Sequence, residues 1–320
     1  MKRYLAALAA ASVLGLGACS DTLGPGNASD QDRAELLAIL DESGWFTDEF
    51  GDDGAVVDFS FGSGFDFGFG ALLAEAQDEV PLVRLWGRRH GRPVARERTV
   101  TVEGDAAQVT WIVTFEGEFV LDRTDDGQIN PTSKPLAHQA VQHAVFTRRA
   151  ELDDQGRRWQ LVGVSPREWR MTDPDERTIT LTRVEISING GERRIVIEDP
   201  AALLDIDGRL PRLEVGDEVR VAARVANDSD LGNTPPEFVF LHLFHANPSR
   251  RAWIRVRMFR NDAGEYARKW TVRHPGRGRI VVDAIDSQAF NTDNDDDYRA
   301  HLIGIPYRVG SDSDSDGGGE

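Results

Sequence analysis

The sequence predicts an α+β domain over residues 31–170 followed by an all-β sandwich over residues 176–309. Three observations carry this. Helical punctuation is confined to the stretch before Pro93. From there the apolar period becomes two residues, the signature of strands with one buried face. Beyond a polar, proline-containing break at Met171–Arg177, short strands recur with turn signals between them and no helical stretch.

In order along the chain, Asp30 or Asp32 caps a helix to about Glu42, with an apolar face of Ala34, Leu36, Leu37, Ile39 and Leu40 and a stop at Gly44. The stretch Gly54–Gly70 spaces Phe59, Phe61, Phe65, Phe67 and Phe69 by even steps, so an extended chain puts all five rings on one face. These rings are the candidate binding patch. A glycine-weakened strand packed on its own core and a low-complexity loop are the alternatives. Ala71–Gln77 and Val80–Arg89 read as short helices, the second burying Leu82, Val83, Leu85 and Trp86. Strands are expected at 94–103, 106–121, 136–149 and 158–169. The clearest alternates Val109, Trp111, Val113, Phe115 and Phe119 against Gln108, Thr110, Thr114, Glu116 and Glu118.

Helices followed by about four long antiparallel strands resemble the NTF2-like, or cystatin-like, α+β cone, in which a curved sheet wraps a helix and leaves a pocket at its open end. That resemblance implies a site for a small apolar ligand. Ketosteroid-isomerase-like members need a carboxylate base and commonly a tyrosine donor. Residues 20–170 contain no tyrosine, so that chemistry does not carry over.

In the second part, strands are expected at 178–188, 193–198, 218–226, 237–245, 252–260, 265–273, 279–286 and 301–309. Asn189-Gly190-Gly191 and Asn261–Gly264 form hairpin turns. The runs Leu213–Val219 and Gly264–Asp286 resemble strands of bacterial immunoglobulin-like domains. Residues 310–320 form an acidic tail without core-forming residues.

Ahead of both parts stands Met1–Cys19. Lys2 and Arg3 precede an apolar run too short to span a bilayer, and small residues follow it. Leu16-Gly17-Ala18-Cys19 resembles the lipobox of bacterial lipoproteins. The resemblance implies a signal peptide at 1–18, a diacylglyceryl thioether on Cys19, and a flexible tether over 19–30. Ser20 after the cysteine resembles the outer-membrane-sorted signal. Cys19 is the only cysteine, which excludes a disulfide or a thiolate metal site. The net charge is −17, and removing Lys2 and Arg3 with the leader makes it −19. Such a field disfavours nucleic acid.

No catalytic, cofactor or metal set emerges. His242 and His245 fall on opposite faces of one strand, as do His138 and His143. The run Asp293–Asp297 supplies calcium-type oxygens, but Tyr298 and Gly304 stand where an EF-hand needs glycine and glutamate. Neither G-x-S-x-G nor a helix-opening G-x-G-x-x-G occurs. The expectation is a non-enzymatic, lipid-anchored envelope protein with a binding or adaptor role and no cofactor. It would sit at the outer membrane facing the periplasm or the cell surface, its partner an envelope protein or a small apolar ligand. A small-molecule enzyme or lipophilic-ligand binder using the cone pocket, and a structural spacer, are the alternatives.

Overall fold

The computed structural model describes residues 28–46, 85–124, 128, 130–229, 236–245, 253–292 and 298–310. Ser29 opens helix α1 (Asp30–Ser43), its hydroxyl accepting a hydrogen bond from the Asp32 amide, and Gly44 closes it at φ 68°. The cap therefore sits just ahead of the aspartates expected to provide it. Leu36 and Leu40 form the buried face, and Trp45 and Phe46 extend it beyond the helix end.

A long meander follows: β1 (Leu85–Glu103), β2 (Ala106–Asp122) and β3 (Thr132–Arg148), with Gly104 at φ 60° in the first turn. Val109, Trp111, Val113, Phe115 and Phe119 of β2 are buried as its alternation predicts. The strand expected at 158–169 is two, β4 (Trp159–Val164) and β5 (Arg167–Met171), because Pro166 cannot donate to a ladder. Both pair with β3.

The second half adds β6 (Ile179–Ile188), β7 (Arg193–Ile197), β8 (Leu204–Asp205), β9 (Arg212–Glu214), β10 (Glu218–Asn227), β11 (Glu237–His245), β12 (Trp253–Arg257), β13 (Phe259–Arg260), β14 (Tyr266–Thr271), β15 (Gly276–Asp286), the short helix α2 (Gln288–Asn291) and β16 (Ala300–Gly310). They complete two sheets. The larger runs β1-β2-β3-β5-β16-β15-β11-β12 with β4, β8 and β9 at its sides, and the smaller runs β13-β14-β10-β6-β7.

This corrects the expected fold class. Strand far outweighs helix, and the larger sheet is curled and antiparallel, so there is no α+β NTF2-like cone. The reason lies at β5. One of its edges pairs with β3 and the other with β16, Arg167–Arg170 lying opposite Gly304–His301. A single sheet thus carries strands from both sides of Met171–Arg177. All-β structure does hold for the second part, with the front layer of its sandwich belonging to the shared sheet. The helix expected at 80–89 is strand from Leu85 onward. Trp86 and Arg88 lie opposite Leu121 and Phe119, so they share one face at the two-residue spacing of a strand. Residues 71–84, Cys19, the Phe59–Phe69 patch, the Asp293–Asp297 run and the tail lie outside the described residues.

The convex face of β16, β15 and β11 packs apolar side chains such as Ile303, Val282 and Leu241 against the smaller sheet. Between the layers, His301 Nδ1 accepts from the Leu181 amide at 2.9 Å, and Tyr266 donates to Glu237 at 2.7 Å. On the concave side the larger sheet rolls until its ends meet. Arg255 of β12 donates to the Trp86 carbonyl of β1 at 2.8 Å, and Phe240 of β11 lies 4.7 Å from the Trp86 ring. Helix α1 covers one end of this face, with Phe46 5.7 Å from Trp111, and α2 covers the other through Phe290.

Gly304 marks the tightest passage. A Cβ there would lie 2.7 Å from both the Trp169 ring and Arg279 Cδ. Gly304→Ala should therefore destabilise the protein by about 1–3 kcal/mol, read as a lower urea midpoint with an unchanged slope.

Candidate functional site

The interior of the curl brings together residues that the chain keeps far apart. Asp283 lies in the apolar run Ile280–Ile285 of β15 and is fully buried. A carboxylate placed so must be paired, and Arg88 of β1 supplies a two-pronged partner. Its Nη1 and Nη2 donate to the Asp283 oxygens at 2.6 and 2.8 Å. His242 of β11 stands 2.9 Å from the same carboxylate. Arg88 Nε donates to the Tyr298 hydroxyl, which stands 3.2 Å from His138 Nε2. Four strands and the segment before β16 thus meet in one polar chain.

Aromatic rings wall it in. Trp86, Phe119 and Phe290 lie within 5.6 Å of one another, centre to centre, and Tyr298 stacks 5.0 Å from Phe119. The Arg255 guanidinium sits 3.6 Å from the Trp86 ring centre. Stripping water from this cluster strengthens every interaction inside it.

The ionisation states follow from the surroundings. Burial opposes the Asp283 charge, but Arg88 and the hydrogen bonds from His242 and Arg88 outweigh it and hold the carboxyl below the usual range. Burial pushes His242 below the ordinary histidine value despite Asp283, with Arg255 and Arg88 adding to the effect. Neutral His242 therefore donates Nε2–H to Asp283. Burial also raises the Tyr298 hydroxyl, although the neighbouring Arg88 charge pulls the other way.

Further along the same face, Arg167 lies 4.5 Å from the Trp111 ring centre and 5.6 Å from that of Trp169, and donates to Gln142 at 3.0 Å. Arg279 donates to the Trp45 carbonyl at 2.8 Å. His138 and His143 point to opposite faces, as their spacing implies: His138 meets Tyr298, and His143 meets Thr110 at 3.1 Å. Among the described residues no three His, Cys, Asp or Glu side chains converge to hold a metal ion. Sequence reasoning separated His242 from His245 by strand parity and missed its grouping with Arg88, Asp283 and Tyr298. A lone carboxylate in the run Ile280–Ile285 was the available signal for Asp283.

No family model matches the chain, and no curated protein matches it. Among solved structures, a polysaccharide lyase is similar at 11% identity with a TM-score of 0.20. The match covers 69% of this chain and 37% of that one. The chain thus spans well under half the length of that structure, and the likeness is too slight to assign a fold or a function.

Asp283→Asn leaves the Arg88 charge buried without its counter-ion and should cost about 3–5 kcal/mol. The pH dependence has a definite sign. His242 and Asp283 both have folded values below their unfolded ones, so their contributions are complete above the unfolded values and shrink as pH falls. Urea midpoints should hold from pH 8 to 7 and decline below about 6.5 as the unfolded histidine takes up its proton. His242→Gln should flatten that first decline, and a midpoint that rises on acidification would contradict the assignment.

Proposed function

We propose that this chain is a lipid-anchored protein of the bacterial cell envelope with a non-enzymatic binding or adaptor role. In this reading Cys19 carries the lipid, and residues 19–30 tether the folded part at the outer membrane, facing the periplasm or the cell surface. The membrane is met through the lipid alone. The partner is an envelope protein or a small apolar ligand, and nucleic acid is disfavoured by the −17 charge.

One structural observation supports the non-enzymatic reading. A general acid or base works best with a pKa near the operating pH. The buried cluster moves each shifted group away from that range: Asp283 downward, Tyr298 upward, and His242 further below neutrality. The same groups hold one another by hydrogen bonds that join β1, β11 and β15. Such an arrangement fixes the curl of the sheet rather than shuttling protons.

The test is the N-terminus of protein taken from a bacterium that makes it. Mass spectrometry of the mature N-terminal peptide should find Cys19 as the first residue, bearing a diacylglyceryl group. Cys19→Ser should move the protein from the membrane to the soluble fraction. A bare thiol, or a retained leader, would overturn the assigned address.

A further inference from the structure

Beside the C-terminus of α1, three arginines stand in one row across adjacent strands. Arg308 of β16 lies opposite Arg212 of β9 in the parallel ladder and opposite Arg277 of β15 in the antiparallel one. Like charges directly opposite across strands are destabilising, which leaves a cost for local contacts to offset. Local partners account for only part of it. Arg212 reaches Asp207 at 3.4 Å, but both side chains are more than half exposed, and such a pair contributes little. Arg277 donates to the Ser43 carbonyl at the helix end. The Nε of Arg308 is buried and makes no hydrogen bond. The guanidinium groups of Arg277 and Arg308 both lie against the Trp45 ring, at 5.4 and 5.2 Å from its centre. Trp45 itself is only 3% exposed, so it serves as a fixed floor. Burial, followed by the charges of Arg277 and Arg212, lowers the pKa of Arg308 from its ordinary value, with Asp207 opposing.

We propose that Arg212, Arg277 and Arg308 form a binding subsite for successive anionic groups of a linear acidic polysaccharide. The backbone of the row spans about 10 Å across three adjacent strands, wider than one oxyanion. Each planar guanidinium presents paired donors suited to a carboxylate or a sulfate ester. A cationic row on a protein of net charge −17 gives a polyanion a local place to dock within a repulsive net field. The choice of a polysaccharide over other polyanions rests on the envelope location proposed above; the cationic row does not.

The experiment is affinity electrophoresis of the full mature chain in gels containing polygalacturonate, with a single-stranded DNA oligonucleotide as the competing polyanion. The wild type should be retarded by polygalacturonate, and less so as salt rises. Arg212→Gln combined with Arg308→Gln should weaken that retardation about tenfold. Its melting temperature should stay level or rise, because two opposed like charges are gone. Arg277 is left intact so that the α1 terminus keeps its contact. No retardation of the wild type, equal retardation of the double variant, or equal or tighter binding of the oligonucleotide would each overturn the proposal. The Cys19→Ser protein should bind as the wild type does. A bare Cys19 would therefore remove the envelope address and leave the cationic subsite standing, whereas lost discrimination by the double variant would do the reverse.

Discussion

The pairing of β5 with β16 is the constraint on which the rest of the structure depends. A few residues, Arg167–Arg170 against His301–Gly304, stitch the N-terminal meander to the last strand of the chain. Without that seam β5 would carry an open edge, and the sheet would have no path from β15, β11 and β12 to β1. With it, one face runs continuously from Trp86 through Phe115, Trp169 and Gly304 to Asp283 and Phe240, and its curl brings the first and last strands into contact. Gly304 is the local condition for the seam, since the Trp169 ring and the Arg279 stem occupy the space where a side chain would stand. Contacts of such long sequence separation form late and slowly. Among the described residues this seam is the least local of the strand pairings.

How much of this could be read beforehand depends on distance along the chain. The odd–even alternation of β2 was legible because both faces are written within one strand. Helix α1 was legible from its apolar spacing and its closing glycine, although Ser29 rather than an aspartate caps it. The start of β1 was not: Leu82, Val83, Leu85 and Trp86 mimic the three-and-four spacing of a helix, and only the pairing of Leu85 and Trp86 with the far end of β2 shows strand at those two residues. The continuity of the sheet was equally hidden, because nothing local to Arg167–Met171 says that its free edge waits for residues near 303. Likewise the cationic row depends on register alone. Arg212, Arg277 and Arg308 are unremarkable singly, and two ladders were needed to place them side by side.

Charge inside the curl has a common logic. An acidic protein spends its arginines on aromatic rings: Arg255 on Trp86, Arg167 on Trp111, Arg148 on Trp159, and Arg277 with Arg308 on Trp45. A guanidinium is more weakly hydrated than an ammonium and stacks on a ring face, so it can enter an aromatic interior at lower cost than lysine. The carboxylates divide differently. Asp283 is drawn into the interior as the counter-ion of Arg88, while Asp32 and Glu35 of α1 hold β4 from outside through Trp159 and the amides of Arg158 and Trp159.

His301 shows how one side chain serves both layers. Its Nδ1 takes a hydrogen bond from the Leu181 amide of the smaller sheet, and an amide can only donate, so the ring proton must sit on Nε2. That proton points at Glu168 of β5, at 2.9 Å. Burial would raise the Glu168 pKa, but the hydrogen bond from His301 and the neighbouring Arg170 and Arg177 together bring it below the ordinary value. The neutral ring is thereby oriented by an ionised carboxylate on one side and committed to a backbone donor on the other. Because Glu168 and His301 lie on the two strands of the β5–β16 seam, the tie between layers and the seam within the larger sheet share one imidazole. Loosening either should loosen both.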